Sequence, residues 1–226
     1  MKVGVLGTAT VGRTLAARLA ELGHEVMLGT RDPAKTRART APDPYGNPPL
    51  ASWLAGHGQV KLGSFAEAAA YGELVVNATQ GSATLEAMEK AGEARLNGKV
   101  LIDVSNPLDF SRGMPPTLFV ADSDSLAEQI QRAFPQARVV KTLNTLNAAL
   151  MVEPGRLAEG EHSVFLSGND PLAKQAVREL LSSFGWKDII DLGDLTTARG
   201  AEMLLGAWLR LYGALNTPLF NFKVVR

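Results

Sequence analysis

Short apolar runs alternate along the chain with segments whose apolar residues recur every three or four positions. That alternation predicts a mainly parallel sheet wrapped by helices. Apolar runs over residues 3–6, 25–28, 59–62, 74–78, 99–104, 138–142, 163–167 and 188–191 read as strands. Helical periodicity falls over 11–22, 64–71, 82–91, 124–134, 171–184 and 197–212. In the first helix Val11, Leu15, Leu19 and Leu22 share a face, and Gly23 ends it. Asp32 and Pro33 read as a cap and first position of a short helix. Ser64 caps the next, with Glu67 placed for a capping box. Residues 39–58 break the pattern. Pro42, Pro44, Pro48, Pro49 and several glycines predict a loop or insertion there, with one turn of helix near Trp53. A plain surface excursion is the simpler reading and a lid over a ligand the alternative. There is no internal repeat and no low-complexity segment.

Composition narrows the partners. Of 226 residues 46% are hydrophobic and 20% charged, the balance of a soluble globular protein. Lysine plus arginine and aspartate plus glutamate both number 23, so the net charge is zero. No basic run stands out, which argues against a nucleic-acid partner. The absence of cysteine excludes disulfides, thiolate catalysis and cysteine-based metal sites. No apolar stretch approaches the ~20 residues of a membrane span. The closest, residues 201–211, is interrupted by Glu202 and Arg210. Met1 and Lys2 run directly into the first strand, leaving no room for a signal peptide, so the expected location is cytoplasmic.

Candidate chemistry begins at Gly7-Thr8-Ala9-Thr10-Val11-Gly12. This is a G-x-G-x-x-G turn with Ala9 at its middle glycine. Gly7 permits the tight turn out of the strand, Ala9 still lets backbone approach a pyrophosphate, and Gly12 lets the helix pack close to the sheet. The helix that follows offers N–H groups and a positive dipole end to phosphate. A strand before and an amphipathic helix after supply the context the motif requires. Where an NAD-binding protein places an acid on the ribose, this chain has Gly29-Thr30-Arg31-Asp32-Pro33-Ala34-Lys35. Thr30, Arg31 and Lys35 suit a 2′-phosphate, so the expected cofactor is NADP(H). Asp32 reads more economically as a helix cap. The fold class expected is α/β: a Rossmann-type, doubly wound, mainly parallel sheet with a small C-terminal extension or lobe. Residues 1–145 form the NADP-binding part and 146–226 the smaller lobe. The boundary is soft, and the second part can simply extend the same sheet.

Five segments occurring in order carry a resemblance: the phosphate turn, residues 29–35, Ile102-Asp103-Val104-Ser105-Asn106-Pro107-Leu108, Val139-Val140-Lys141-Thr142-Leu143-Asn144-Thr145, and Asn216-Thr217-Pro218-Leu219-Phe220-Asn221-Phe222-Lys223. Together they resemble the NADPH-dependent deazaflavin (coenzyme F-420) reductases. That wider group includes bacterial dinucleotide-binding oxidoreductases and the cytosolic domain of metalloreductases. The resemblance spans nearly the whole chain. It implies hydride exchange between NADPH and a planar acceptor stacked on the nicotinamide. It carries NADP contacts onto Gly7, Thr8, Thr10, Val11, Gly12, Thr30, Arg31 and Lys35.

The crevice of such a sheet lies beyond the C-terminal strand ends. Here these are Gly7-Thr8, Thr30-Arg31, Ala78-Thr79-Gln80, Ser105-Asn106-Pro107 and Asn144-Thr145, rich in hydroxyls and amides and poor in titratable groups. The expected cofactor-binding set adds Ala9, Ala78, Thr79, Asn106, Pro107 and Asn144 to those above. No catalytic residue and no metal site is expected. His24, His57 and His162 read as surface or structural residues. Lys141 reads either as a proton donor beside a nicotinamide or as a structural residue paired with an acid, and the second is favoured. A stacked deazaflavin or flavin takes hydride by alignment alone, which suits so poor an acid–base set. The expected partner is a small-molecule hydride acceptor, with coenzyme F-420 or a flavin as co-substrate. The alternatives are a non-catalytic NADP(H)-binding sensor and a small carbonyl or imine reductase. The helix around residues 202–212 is apolar on most faces and must be buried, within the chain or in a homodimer.

Overall fold

The computed structural model describes residues 1–43 and 46–226, so Pro44 of the proline-rich loop lies outside the described residues. The chain begins with β1 (Lys2–Leu6), α1 (Thr10–Glu21), β2 (Glu25–Thr30), α2 (Pro33–Ala38), α3 (Leu50–Ala55), β3 (Val60–Ser64) and α4 (Phe65–Tyr71). It continues with β4 (Leu74–Asn77), α5 (Thr84–Ala91), α6 (Glu93–Leu96), β5 (Val100–Asp103), β6 (Leu108–Asp109) and β7 (Thr117–Leu118). Then follow α7 (Leu126–Ala133), β8 (Arg138–Thr142), α8 (Ala148–Val152), β9 (Ser163–Gly168), α9 (Pro171–Ser183), β10 (Asp188–Gly193) and α10 (Ala198–Leu215).

Eight strands form one sheet in the order β10-β9-β8-β5-β4-β1-β2-β3, parallel except between β8 and β9. The fold is the expected Rossmann-type α/β sheet. Its strands are apolar on both faces because helices cover both. Val3, Val5, Leu74, Val76, Val100 and Ile102 point into one core beneath α1 and α9. Leu6, Val75 and Leu101 point into the other, beneath α4, α5 and α7. Strand order reverses between β1 and β4, which opens a crevice above their C-terminal ends.

Several local readings change in the structure. The helix expected over 82–91 starts as a 3-10 turn, Gly81–Ala83, before α5. Ser125 caps α7 by accepting from the Glu128 N–H, which leaves Asp124 outside the helix. The β6–β7 ribbon and α8 are too short to show a period, and neither was expected. Strand β9 runs antiparallel to β8, and α8, in the connection between them, packs against α1. Strand β10 then pairs parallel with β9, continuing the same sheet. After α10 the tail folds back onto β9: Ser163 N–H donates to Phe222 O (2.9 Å) and Asn221 Nδ2 to Ser163 O (2.8 Å). Among the described residues no helix is long and apolar enough to cross a membrane.

Candidate functional site

The crevice is built on α1. Asp32, Ser64, Ser125 and Asp170 cap their helices with side chains, whereas Ala9 at the start of α1 offers none. The first turn of α1 therefore faces the crevice uncapped, as an anion site requires. Gly7 has φ +118°, and a Cβ there would overlap the Ala78 carbonyl. A Cβ at Gly12 would overlap the Gly7 carbonyl. Only glycine lets β1, α1 and the end of β4 approach this closely.

Two hollows meet over this turn. One, of ≈ 430 Å³, collects Gly7, Thr8, Ala9, Thr30, Arg31 and Lys35, with Ala78 and Thr79 opposite. The other, of ≈ 350 Å³, collects Ala9, Thr10, Val11, Ala78, Thr79 and Asn106. The cofactor-binding residues read from the sequence thus assemble along one cleft, with three exceptions. Gly12 is buried beneath the turn. Pro107 is buried and its carbonyl accepts from the Phe119 N–H (2.9 Å). Asn144 is buried and reaches the cleft only through Asn106: Asn106 Nδ2 donates to Asn144 O (2.8 Å), and Asn144 Nδ2 to Asn106 Oδ1 (3.0 Å).

Charge is uneven along the cleft. Arg31, Lys35 and Arg39 line the first hollow together with Asp32 and Glu86, and among the described residues no ionisable side chain lines the second. Asp32 accepts from the Lys35 N–H (2.9 Å) and so caps α2, as expected. Thr30 Oγ1 lies 2.9 Å from Thr36 Oγ1.

Arg13 is a site residue that the sequence did not disclose. Its Nε donates to Thr8 O (2.7 Å) and its Nη1 to Pro48 O (2.5 Å), so it clamps the proline-rich loop to the phosphate turn. Asn47 Nδ2 adds a bond to Thr10 Oγ1 (2.6 Å). Burial lowers the Arg13 guanidinium below the usual arginine value, and the charge of Asp43 partly offsets this. Arg39 was also missed. Neither carries a motif: Arg13 acquires its meaning only when Thr8 and Pro48 come together around it, and Arg39 only as part of the wall beside Arg31.

Lys141 does not reach the cleft. It is enclosed, with Nζ donating to Asp103 Oδ2 (2.8 Å) and Ser105 O (2.6 Å), and lies 2.8 Å from Glu202 Oε1. Burial opposes its charge, but Asp103 and Glu202 outweigh burial and hold the ammonium above the usual lysine range. Asp103 Oδ1 also accepts from Asn77 Nδ2 (2.8 Å), Ser105 Oγ (2.7 Å) and Ser105 N–H (3.1 Å). Glu202 accepts from the Leu126 and Ala127 N–H groups at the start of α7 (2.8 and 3.1 Å). The network braces the ends of β4 and β5 from below.

Among the described residues no histidine lines either hollow. His57 stacks on Trp53 at 4.0 Å. His162 is buried edge-on to Trp186 and lies 3.0 Å from Pro154 O. His24 is half-buried, and burial lowers its pKa.

Comparison with known proteins agrees with this geometry. The family described as "NADP oxidoreductase coenzyme F420-dependent" matches residues 2–107. The crystal structure of a candidate F420-dependent NADP-reductase from Arthrobacter sp. FB24 is 61% identical, covers 100% of both chains and superposes with a TM-score of 0.95. The F420-dependent NADP reductase of Methanothermobacter marburgensis is 29% identical over 90% of this chain and 89% of its own. Metalloreductase STEAP3 of Rattus norvegicus is 31% identical over 92% of this chain. The chain spans only 38% of that metalloreductase's length. Fold and likeness define the class as an NADP-dependent oxidoreductase of Rossmann type. The chain belongs to the coenzyme F420-dependent NADP oxidoreductase family.

Proposed function

We propose that the protein passes hydride between NADP(H) and a planar acceptor such as coenzyme F420 or a flavin. The supporting observation is the polarity of the cleft. Three cations, Arg31, Lys35 and Arg39, outnumber the acids Asp32 and Glu86 at one end, the uncapped start of α1 lies in the middle, and the hollow at the other end has no ionisable group among the described residues. Arg31 and Lys35, with Thr30, are assigned to the 2′-phosphate, and Gly7 to Gly12 to the pyrophosphate. Ala78, Thr79 and Asn106 bound the nicotinamide end, with Pro107 and Asn144 behind them. NADPH supplies the hydride. The chain's own contribution is to hold the donor and acceptor rings face to face and to exclude water between them. The reaction balances as NADPH, oxidised acceptor and one proton giving NADP⁺ and the acceptor reduced by two electrons. In this reading residues 1–145 carry the nucleotide and residues 146–226 act as a smaller supporting lobe.

Stopped-flow oxidation of NADPH against coenzyme F420, flavins, quinones and small carbonyls tests the proposal. Turnover with planar rings is expected. Turnover with carbonyls alone would favour a carbonyl or imine reductase, and none at all a nucleotide sensor. A homodimer is proposed as well. Leu211, Tyr212 and Leu215 at the end of α10 are exposed, and burying them against a second copy would remove that apolar surface from water. Sedimentation velocity showing only monomer at micromolar concentration would refute it.

A further inference from the structure

The start of α1 carries a charge that helix electrostatics alone would not place there. Arg13 is the fourth residue of the helix, close to the positive end of its dipole, and no acid occupies that first turn. It is only 7% exposed, so water screens it little. Its two acceptors, Thr8 O and Pro48 O, are neutral carbonyls, and the charge that offsets its burial is Asp43 of the proline-rich loop. A cation so placed is a poor choice for helix stability and a good one beside an anion site.

The bond to Thr8 also fixes a direction. The Thr8–Ala9 peptide is trans and planar, so its C=O and N–H point opposite ways. With Thr8 O held by Arg13, the Ala9 N–H is turned away from Arg13, and Ala9 lines both hollows of the cleft. Asn47 does the same for a hydroxyl. One hydrogen of its Nδ2 goes to Asp43 Oδ2 (2.8 Å), a carboxylate oxygen that only accepts, and the other to Thr10 Oγ1 (2.6 Å). Thr10 Oγ1 is therefore the acceptor of its pair and keeps its own hydrogen for another partner, and Thr10 lines the 350 Å³ hollow. The loop holds Asn47 firmly. Asp43 N–H donates to Asn47 O (3.0 Å) and Asn47 N–H to Asp43 Oδ1 (2.9 Å), with Pro48 and Pro49 following.

We propose that Arg13 and Asn47 are positioning residues for the dinucleotide's pyrophosphate. They aim the Ala9 N–H and the Thr10 hydroxyl at it before it arrives, so that binding spends little on ordering them. The proline-rich loop is then a brace for the phosphate turn. This rests on the assignment of the pyrophosphate to residues 7–12. The experiment is titration of NADPH, NADH and adenosine 2′-monophosphate into wild type, Arg13→Met, Arg13→Lys and Asn47→Ala, with urea unfolding run on each. Arg13→Met should weaken NADPH and NADH alike by about tenfold, and Asn47→Ala by about threefold, as the loss of donors aimed at an anion implies. Arg13→Lys should follow Arg13→Met, because an ammonium does not reproduce the planar fork that spans two carbonyls. Adenosine 2′-monophosphate has no pyrophosphate and should bind all four proteins within about twofold, as a distant site does. A merely structural Arg13 would lower the unfolding free energy and leave the affinity of the folded protein unchanged. Unchanged affinity in both Arg13→Lys and Asn47→Ala would overturn the proposal. So would a loss shared by adenosine 2′-monophosphate, or full recovery in Arg13→Lys of what Arg13→Met loses, since charge alone would then suffice. Gly12→Val keeps the two assignments apart. If it loses NADPH while the Arg13 and Asn47 variants keep it, the pyrophosphate stays at the turn and the brace falls. If Gly12→Val binds NADPH fully, the assignment of the pyrophosphate falls, and the brace with it.

Discussion

Arg31 shows what a single residue contributes and what surrounds it. It sits at the C-terminal edge of β2, exposed, on the same hollow as Lys35 and Arg39. Arg31→Ala should weaken NADPH by about 1.5–3 kcal/mol, the usual worth of a hydrogen bond to a charged group. Binding of NADH, which has no 2′-phosphate, should hardly change. Fluorescence titration of both nucleotides reads the difference, and an unchanged preference would remove Arg31 from the 2′-phosphate site. At Gly12 the constraint is space rather than charge. Gly12→Val would drive a branched side chain into the Gly7 carbonyl, so the folded variant should lose most of its nucleotide affinity. Ala9→Gly should leave it nearly intact, because Ala9 is exposed and caps α1 with no side-chain bond. Calorimetry on both variants decides; full affinity in Gly12→Val would put the phosphates elsewhere. Both residues were legible because their motif is local. Arg13 was not, since its partners at Thr8 and Pro48 meet only in the fold.

Among the elements, legibility followed length. Helices α1 and α9 announce themselves by several turns of periodicity, and α4 by cap chemistry that the structure repeats in the Ser64–Glu67 capping box. The β6–β7 ribbon has two residues a side and α8 five, too few for any period to show, yet the ribbon supplies the aromatic wall of the cleft. Helix α7 shows how one position alters an element's chemistry. Asp124, just ahead of the helix, accepts from both Nη groups of Arg132 at its far end (2.9 and 2.7 Å). Those bonds lower its pKa from 3.8 to about 2, with help from Gln129 and Ser125. A carboxyl depressed in the folded state adds stability that is present above its unfolded pKa and is lost as pH falls through the folded one. Because Arg132 is exposed, the gain is on the order of 1 kcal/mol. Asp124→Asn should therefore be less stable than wild type at pH 7, with the gap closing between pH 3.8 and about 2. Urea unfolding across that range measures it, and a gap independent of pH would rule out the ion pair as its source.

For the molecule as a whole, the deciding feature is how the C-terminal part is fastened to the nucleotide-binding sheet. Helix α10 is held at its first turns by Glu202, whose carboxylate joins the start of α7 to Lys141 under β5 and β8. Asn144 Nδ2 donates to Ala201 O (3.0 Å), and Arg199 clasps Glu128 with two bonds (2.8 and 2.6 Å). The sequence favoured a structural role for Lys141 over a proton donor but could not name its partners, because a strand pattern does not show which carboxylates will close around a lysine from 38 positions upstream and from a later helix. The two roles differ in what a substitution does. Lys141→Met leaves Asp103 and Glu202 buried with their cation gone, a loss of about 3–5 kcal/mol for a broken buried pair. Asp103→Asn and Glu202→Gln added together should return part of it, since the uncompensated charges go with them. A general acid would behave otherwise, slowing hydride transfer by ~10²–10⁴-fold at little cost in stability. Urea unfolding and single-turnover oxidation of NADPH, measured on the same variants, separate the outcomes. The expected result is a large fall in unfolding free energy, with transfer in the folded fraction slowed only as far as Ser105 and Asn106 lose their positions. Full stability with transfer slowed a thousandfold would return Lys141 to the reaction.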